Sequence, residues 1–134
     1  FSATKLLYDP GFNVIDASIQ KQNNTYVMFL KDETKKPVQK NLKIAYSDYL
    51  TGPYTNASAP ITGNYWAEGP TATKIAGNWV VYFDKYTDHK YGAVQSTDLK
   101  TWVDISDKIE FPKGARHGTV FKISLEAFNN LLSH

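Results

Sequence analysis

The sequence contains no cysteine, which excludes disulfides and thiolate metal sites. No apolar run is long enough to span a membrane. No secretory leader is visible, although a chain starting at Phe1 reads as processed or truncated. Charge is close to balanced: 15 Lys and Arg stand against 13 Asp and Glu, a formal +2. Lysines 35, 36, 40 and 43 cluster, but no aromatic or arginine stripe accompanies them. They read as a solvated connecting loop, and neither nucleic acid nor a membrane is an expected partner.

Aromatic residues are plentiful. Nine Tyr, seven Phe and three Trp favour pleated, half-buried surfaces. Strand signals fall at 5–8, 14–19, 25–30, 42–46, 71–75, 79–83, 91–95 and 119–123. Turn chemistry separates them, notably Asn23-Asn24, Gly52-Pro53 and Ala76-Gly77. One helix signal stands at the end: Ser124 can cap residues 125–132, with Glu126 in the first turn, where the helix dipole favours an acid. The expected class is all-β with a short C-terminal helix.

The chain also repeats itself. Asp16 in VIDASI, Glu68 in WAEGPT and His117 in ARHGTV each open a short apolar segment, at steps of 52 and 49 residues. Aligning Asp16 with Glu68 requires a one-residue gap, after which Tyr26 matches Trp79, Phe29 matches Tyr82 and Ser47 matches Ser96. Units of roughly 40–50 residues rich in short strands indicate a β-propeller. Equivalent blade positions converge on a central channel, so this pattern would gather two carboxylates and one imidazole around one cavity. The expected division is a blade end (1–10), two blades (11–60 and 61–110) and a partial blade with the helix (111–134). Propellers close with about four blades or more. The chain therefore reads as the C-terminal part of a longer propeller, or as one that associates with blades of other copies.

The elements YDPGFNVIDASI (8–19), FLKDE (29–33), YSDYLTGPY (46–54), AEGPT (67–71), YGAVQSTDLKTW (91–102) and FPKGARHGTV (111–120) run in one order. In that order the sequence resembles the C-terminal half of glycoside hydrolase family 43 enzymes. Those are five-bladed propellers that hydrolyse arabinose- or xylose-containing glycans with inversion. The resemblance implies that Glu68 is the general acid and that Asp16 orients it and tunes its pKa. It implies that His117 lies at the channel floor, near a hydrated cation such as calcium held through water. No cofactor is otherwise required. The family's general base matches no residue here, so the isolated chain is expected to be inactive.

The chemistry agrees with that reading. An inverting glycosidase sets a protonated acid and a base on opposite faces of the sugar, roughly 6.5–9.5 Å apart. A neighbouring carboxylate raises the pKa of the acid. Hairpin counting sets Asp16 opposite Lys31 or Asp32 and Glu68 opposite Asp84 or Lys85. Lys31 is favoured near Asp16, since a cation keeps that carboxylate ionised, and Asp84 is the candidate near Glu68. Arg116, Trp66, Tyr65 and Lys31 are candidate substrate contacts; Arg116 could instead brace a carboxylate. Trp79 and Trp102 read as blade packing. The substrate class is an oligo- or polysaccharide, and the sequons at Asn23 and Asn56 accord with a secreted or periplasmic protein. The alternative function is a non-catalytic carbohydrate-binding or scaffold propeller.

Overall fold

The structure, a computed structural model, describes residues 3–133. Residues 1, 2 and 134, which close the expected end segments, lie outside that range. The regular structure is mainly two antiparallel sheets. The first has the order β1-β2-β3, with β1 Val14–Gln22, β2 Thr25–Asp32 and β3 Asn41–Ser47. The second has the order β4-β5-β6-β7, with β4 Glu68–Ile75, β5 Asn78–Lys85, β6 Lys90–Ser96 and β7 Val103–Asp104.

The first sheet lacks a regular fourth strand, yet its edge is covered. Thr55, Ser58 and Ile61 donate their N–H groups to the carbonyls of Tyr46, Ile44 and Leu42. In return Thr55, Ser58 and Thr62 accept the N–H groups of Tyr46, Ile44 and Leu42 through their side-chain hydroxyls. Short hydroxyl side chains thus take the place of strand carbonyls and leave no open ladder.

Period-two alternation decides which faces meet. Val27 and Phe29 of β2 pack with Leu42 and Ile44 against Ala72, Trp79, Val81 and Phe83 of the second sheet. Met28 and Leu30 face the other way, under Tyr8, Phe12 and Tyr54. Phe29 meets Trp79 with ring centroids 5.9 Å apart, and Trp102 edge-on at 6.4 Å. Trp79 and Trp102 therefore belong to the packing between sheets, as expected. The far face of β5 turns Tyr82 onto Phe111.

The hairpin turns and the helix fall where the sequence places them. Asn23-Asn24 and Ala76-Gly77 are the two tight turns. The helix α1, Leu125–Leu132, starts at Ser124, whose Oγ accepts from Ala127 N at 3.1 Å. Two expected strands are absent. Residues 5–8 form no ladder and leave Leu6 and Leu7 exposed. Residues 119–123 are irregular too, but Val120 N donates to Thr71 Oγ1, tying that segment beside β4. The lysine loop is only partly solvated: Lys40 pairs with Glu33 and Lys43 with Asp32.

The structural repeat is shifted by one residue from the sequence alignment. Ile15 pairs with Lys31 and Ser18 with Phe29, so one extra residue bulges on β1. Glu68 pairs with Asp84 and Thr71 with Tyr82, giving the same bulge on β4. Asp16 and Gly69 occupy equivalent bulge positions with φ of 53° and 59°; His117 shares the left-handed conformation at 35°. Glu68 corresponds to Ile15 in its unit, and ten residues separate both Asp16 from Tyr26 and Gly69 from Trp79. The gap in the sequence alignment came from matching acid to acid across this bulge.

Candidate active site

β1 and β4 lie side by side, and their bulged beginnings bring the polar residues together. Asp16 Oδ2 accepts from Gly69 N at 3.1 Å. Glu68 Oε1 lies 3.0 Å from His117 Nε2. One ligand atom each from Asp16, Glu68 and His117 falls within 4.8 Å of the others. Three residues separated by about fifty positions thus share one small site, which is the convergence the repeat predicts. Gly69 makes it possible. Its backbone is left-handed, and a Cβ there would sit 3.3 Å from the His117 ring.

Lys31 is placed differently from the expectation. It shares the face of Val27 and Phe29, which looks at the second sheet. Its Nζ lies 2.8 Å from Glu68 Oε2 and 2.8 Å from Glu33 Oε2, and 4.5 Å from the Tyr86 ring centre. No bond to Asp16 forms. The bulge turns Asp16 towards the Gly69 backbone instead. Lys31 is 2% exposed, so it is a buried tether of Glu68 and reaches no open surface. Glu33 continues the chain of alternating charge to Lys40.

Asp84 stands opposite Glu68 in register, as hairpin counting allows. It is fully buried, and its Oδ2 accepts from Arg116 Nε. Arg116 Nη2 then comes within 3.8 Å of Glu68 Oε1. Arg116 is thus the brace of a carboxylate, with a half-exposed guanidinium at the site's edge. Tyr65 departs from its expected role. Its ring stacks on Phe83, Lys85 Nζ stands 4.0 Å from the ring centre, and its hydroxyl donates to Asp104 Oδ2 at 2.6 Å. Burial and that acceptor push its phenol pKa upward. Those contacts engage the ring, so Tyr65 serves packing. Trp66 remains open, 42% exposed, with Tyr86 tilted against it.

The electrostatics depart from the expectation that Asp16 raises the pKa of the acid: Asp16 is not among the groups that shift it, and the net effect favours an ionised Glu68. Partial burial alone would raise its pKa, but hydrogen bonds from Lys31 and His117 outweigh it and hold the carboxyl below its ordinary range. Lys31 answers in kind. Burial pulls its pKa down, and the hydrogen bonds to Glu33 and Glu68 bring it above the usual lysine value. Glu33 is held low by Lys31 and Lys40. An ionised Glu68 accepts at Oε1, so His117 Nε2 carries the hydrogen.

The donor set does not fit a directly bound calcium ion, which prefers six to eight oxygens. Both Glu68 oxygens already serve Lys31 and His117, and Asp16 Oδ2 serves a backbone amide. Sequence reasoning missed Glu33 and Tyr86. The signal for Glu33 was present in FLKDE: two residues after Lys31, it lies on the same strand side.

Residues 1–128 match the family model described as "Probable glycosyl hydrolase domain", a group related to glycoside hydrolase family 43. No curated protein matches the chain. Three solved structures share the fold. One is a family 43 β-xylosidase/α-arabinofuranosidase from a compost microbial metagenome, solved with xylotriose in a calcium-free form. It has a TM-score of 0.58, 10% identity, and coverage of 73% of this chain and 36% of that one. The catalytic domain of a family 62 α-L-arabinofuranosidase from Coprinopsis cinerea has a TM-score of 0.53 and 15% identity, over 66% and 29%. An exo-β-1,3-galactanase from Phanerochaete chrysosporium, solved with β-1,3-galactotriose, has a TM-score of 0.54 and 14% identity, over 68% and 25%. The chain spans roughly a third or less of the length of these structures. At such identities the likeness establishes the fold: the two sheets are blades of the propeller seen in family 43 proteins. The match over nearly its whole length settles the family: this chain belongs to the family 43-related glycosyl hydrolase domains.

Proposed function

We propose that the chain supplies the acid side of an inverting glycoside hydrolase acting on arabinose- or xylose-containing glycans. The observation that carries this reading is the meeting of Asp16, Glu68 and His117 within 4.8 Å. Glu68 gives its proton to the glycosidic oxygen, which leaves with the departing sugar. A base on the opposite face, contributed from outside these 134 residues, takes a proton from the attacking water. Asp16 positions the acid through the Gly69 backbone, and Arg116 and His117 fix the Glu68 oxygens. With Glu68 held below the ordinary carboxylate range in this chain, it carries the proton it donates mainly in acid solution, and that fraction shrinks as pH rises. Activity that depends on it falls in the same direction. The chain alone lacks the base and is inactive. A calcium ion would be held near His117 through its waters, and would add positive charge there. A polymeric glycan substrate suits a secreted or periplasmic enzyme.

One observation favours the alternative, a non-catalytic carbohydrate-binding or scaffold propeller. Lys31 tethers Glu68 in the way that Asp84 tethers Arg116 one unit later, and such a pair can serve blade packing alone. The discriminating experiment is Glu68→Gln in the propeller completed by its remaining blades, assayed on arabinofuranosides and xylosides. The catalytic reading expects turnover to fall by roughly 10²–10⁴-fold. Unchanged turnover on a natural glycan removes Glu68 from the mechanism, and no activity in either protein supports the binding propeller.

A further inference from the structure

A cleft of about 460 Å³ opens between residues 38–41, at the β2–β3 connection, and residues 60–66, which lead into β4. Strand β2 ends beside the bulged start of β1, so this connection emerges at the end of the sheets that carries Glu68. Gln39, Asn41, Thr62, Asn64 and Trp66 line it, and no lining residue carries a charged side chain. Such a surface combines the half-exposed Trp66 indole and part of Tyr65 with amide and hydroxyl groups, and Lys40 Nζ stands 5.9 Å from the Trp66 ring centre. It suits a neutral, hydroxyl-rich ring, with an apolar face for the indole and hydroxyls for the amides. Asn41 is 7% exposed, and its Nδ2 donates to Gln39. Its Oδ1 is buried behind the cleft wall and accepts no hydrogen bond among the described residues. The cleft at the β5–β6 connection, of about 410 Å³, differs in being lined by charged residues such as Lys90, Asp107, Glu110 and Lys113. The neutral lining is therefore particular to the cleft beside Trp66.

Its position gives it a role. Trp66 precedes Glu68 by two residues and leans on Tyr86, whose ring lies over Lys31, the tether of Glu68. A proton donated by Glu68 goes to the oxygen that departs with the leaving group. We propose that this cleft binds the leaving-group sugar of a neutral oligosaccharide, with Trp66 as the platform. The assignment of leaving-group side rests on Glu68 being the acid; the binding of sugar does not.

The test uses the 134-residue chain, which supplies every lining residue. A ¹⁵N-labelled sample is titrated with xylobiose and with α-1,5-linked arabinobiose. Saturable shifts at the Trp66 indole and the Asn41 and Asn64 side-chain amides are expected. Trp66→Ala should weaken binding about tenfold and Asn64→Ala, at an exposed position, about threefold, while Trp66→Phe retains most of it. No saturable binding, or binding indifferent to Trp66→Ala, overturns the proposal. The two readings separate through Glu68→Gln. Lost binding beside a Glu68-dependent turnover defeats the cleft alone. Binding retained beside a turnover indifferent to Glu68 upholds the sugar site and overturns its leaving-group role.

Discussion

Lys31 and Glu68 form an ion pair between successive blades, with Nζ 2.8 Å from Oε2. One unit further on, Asp84 holds Arg116 from the equivalent strand position with the signs exchanged. Lys31 and Asp84 correspond because Tyr26 and Trp79 both pair with the serines that end their neighbouring strands, Ser47 and Ser96. Each faces the following unit. The contact that joins the blades is therefore also one that lowers the pKa of Glu68.

Replacing Lys31 with Met should raise the pKa of Glu68. Burial raises that pKa, and Lys31 supplies the largest of the interactions that hold it low; without Lys31, only His117 still opposes burial. Sign follows directly: Glu68 then keeps its proton to higher pH. In the chain itself, the ¹³C titration midpoint of the Glu68 side chain should move upward. In the complete enzyme, the alkaline limb of kcat/KM should move the same way. A midpoint that stays or falls contradicts the tether.

Removing Arg116 should cost stability as well as activity. Asp84 is fully buried, and Arg116→Ala leaves its charge uncompensated. A loss of about 2–4 kcal/mol is expected, below the upper end for a fully buried pair because the guanidinium is half-exposed. Adding Asp84→Asn should recover part of it, read as a coupling energy in a denaturation cycle. Additive losses would show that the pair does not exist in solution.

Gly69→Ala tests the bulge. An alanine at φ of 59° costs about 1–2 kcal/mol, and its Cβ presses on His117 at 3.3 Å. Thermal denaturation should register the loss, and the His117 ring resonances should shift. An unchanged midpoint would mean that the bulge relaxes freely.

Most of the blade architecture was legible in the sequence, because β2 and β5 are long aromatic and β-branched strands closed by tight turns. The helix cap at Ser124 was legible for the same reason: its signal is local. The bulges were not, since a bulge adds a residue without changing composition. The gap in the alignment did not mark them: both units carry the same bulge, and the gap came from matching Asp16 to Glu68 when Asp16 corresponds to Gly69. The end strands failed where a strand signal lacked a partner to pair with, as at residues 5–8. Lys31 was assigned to Asp16 because counting along a hairpin does not see the β1 bulge, which sets Lys31 opposite Ile15. Tyr65 was misplaced because sequence distinguishes aromatic content, whereas the packing of Phe83 and Lys85 around it is long-range.

The chain alone should show no glycosidase activity on arabinofuranoside or xyloside chromogens. Leu6, Phe121, Leu125, Leu131 and Leu132 are largely exposed, an apolar surface that favours association. Light scattering should therefore report a mass above 15.1 kDa. An active monomer contradicts both expectations.

Proton donation by Glu68 to the departing oxygen is tested most directly by leaving-group dependence. In the complete propeller, Glu68→Gln should cost roughly 10²–10⁴-fold on a natural glycan whose leaving sugar needs protonation. On an aryl glycoside with a strongly acidic phenol the loss should be small. An equal loss on both substrates, or none on the glycan, would contradict the assignment.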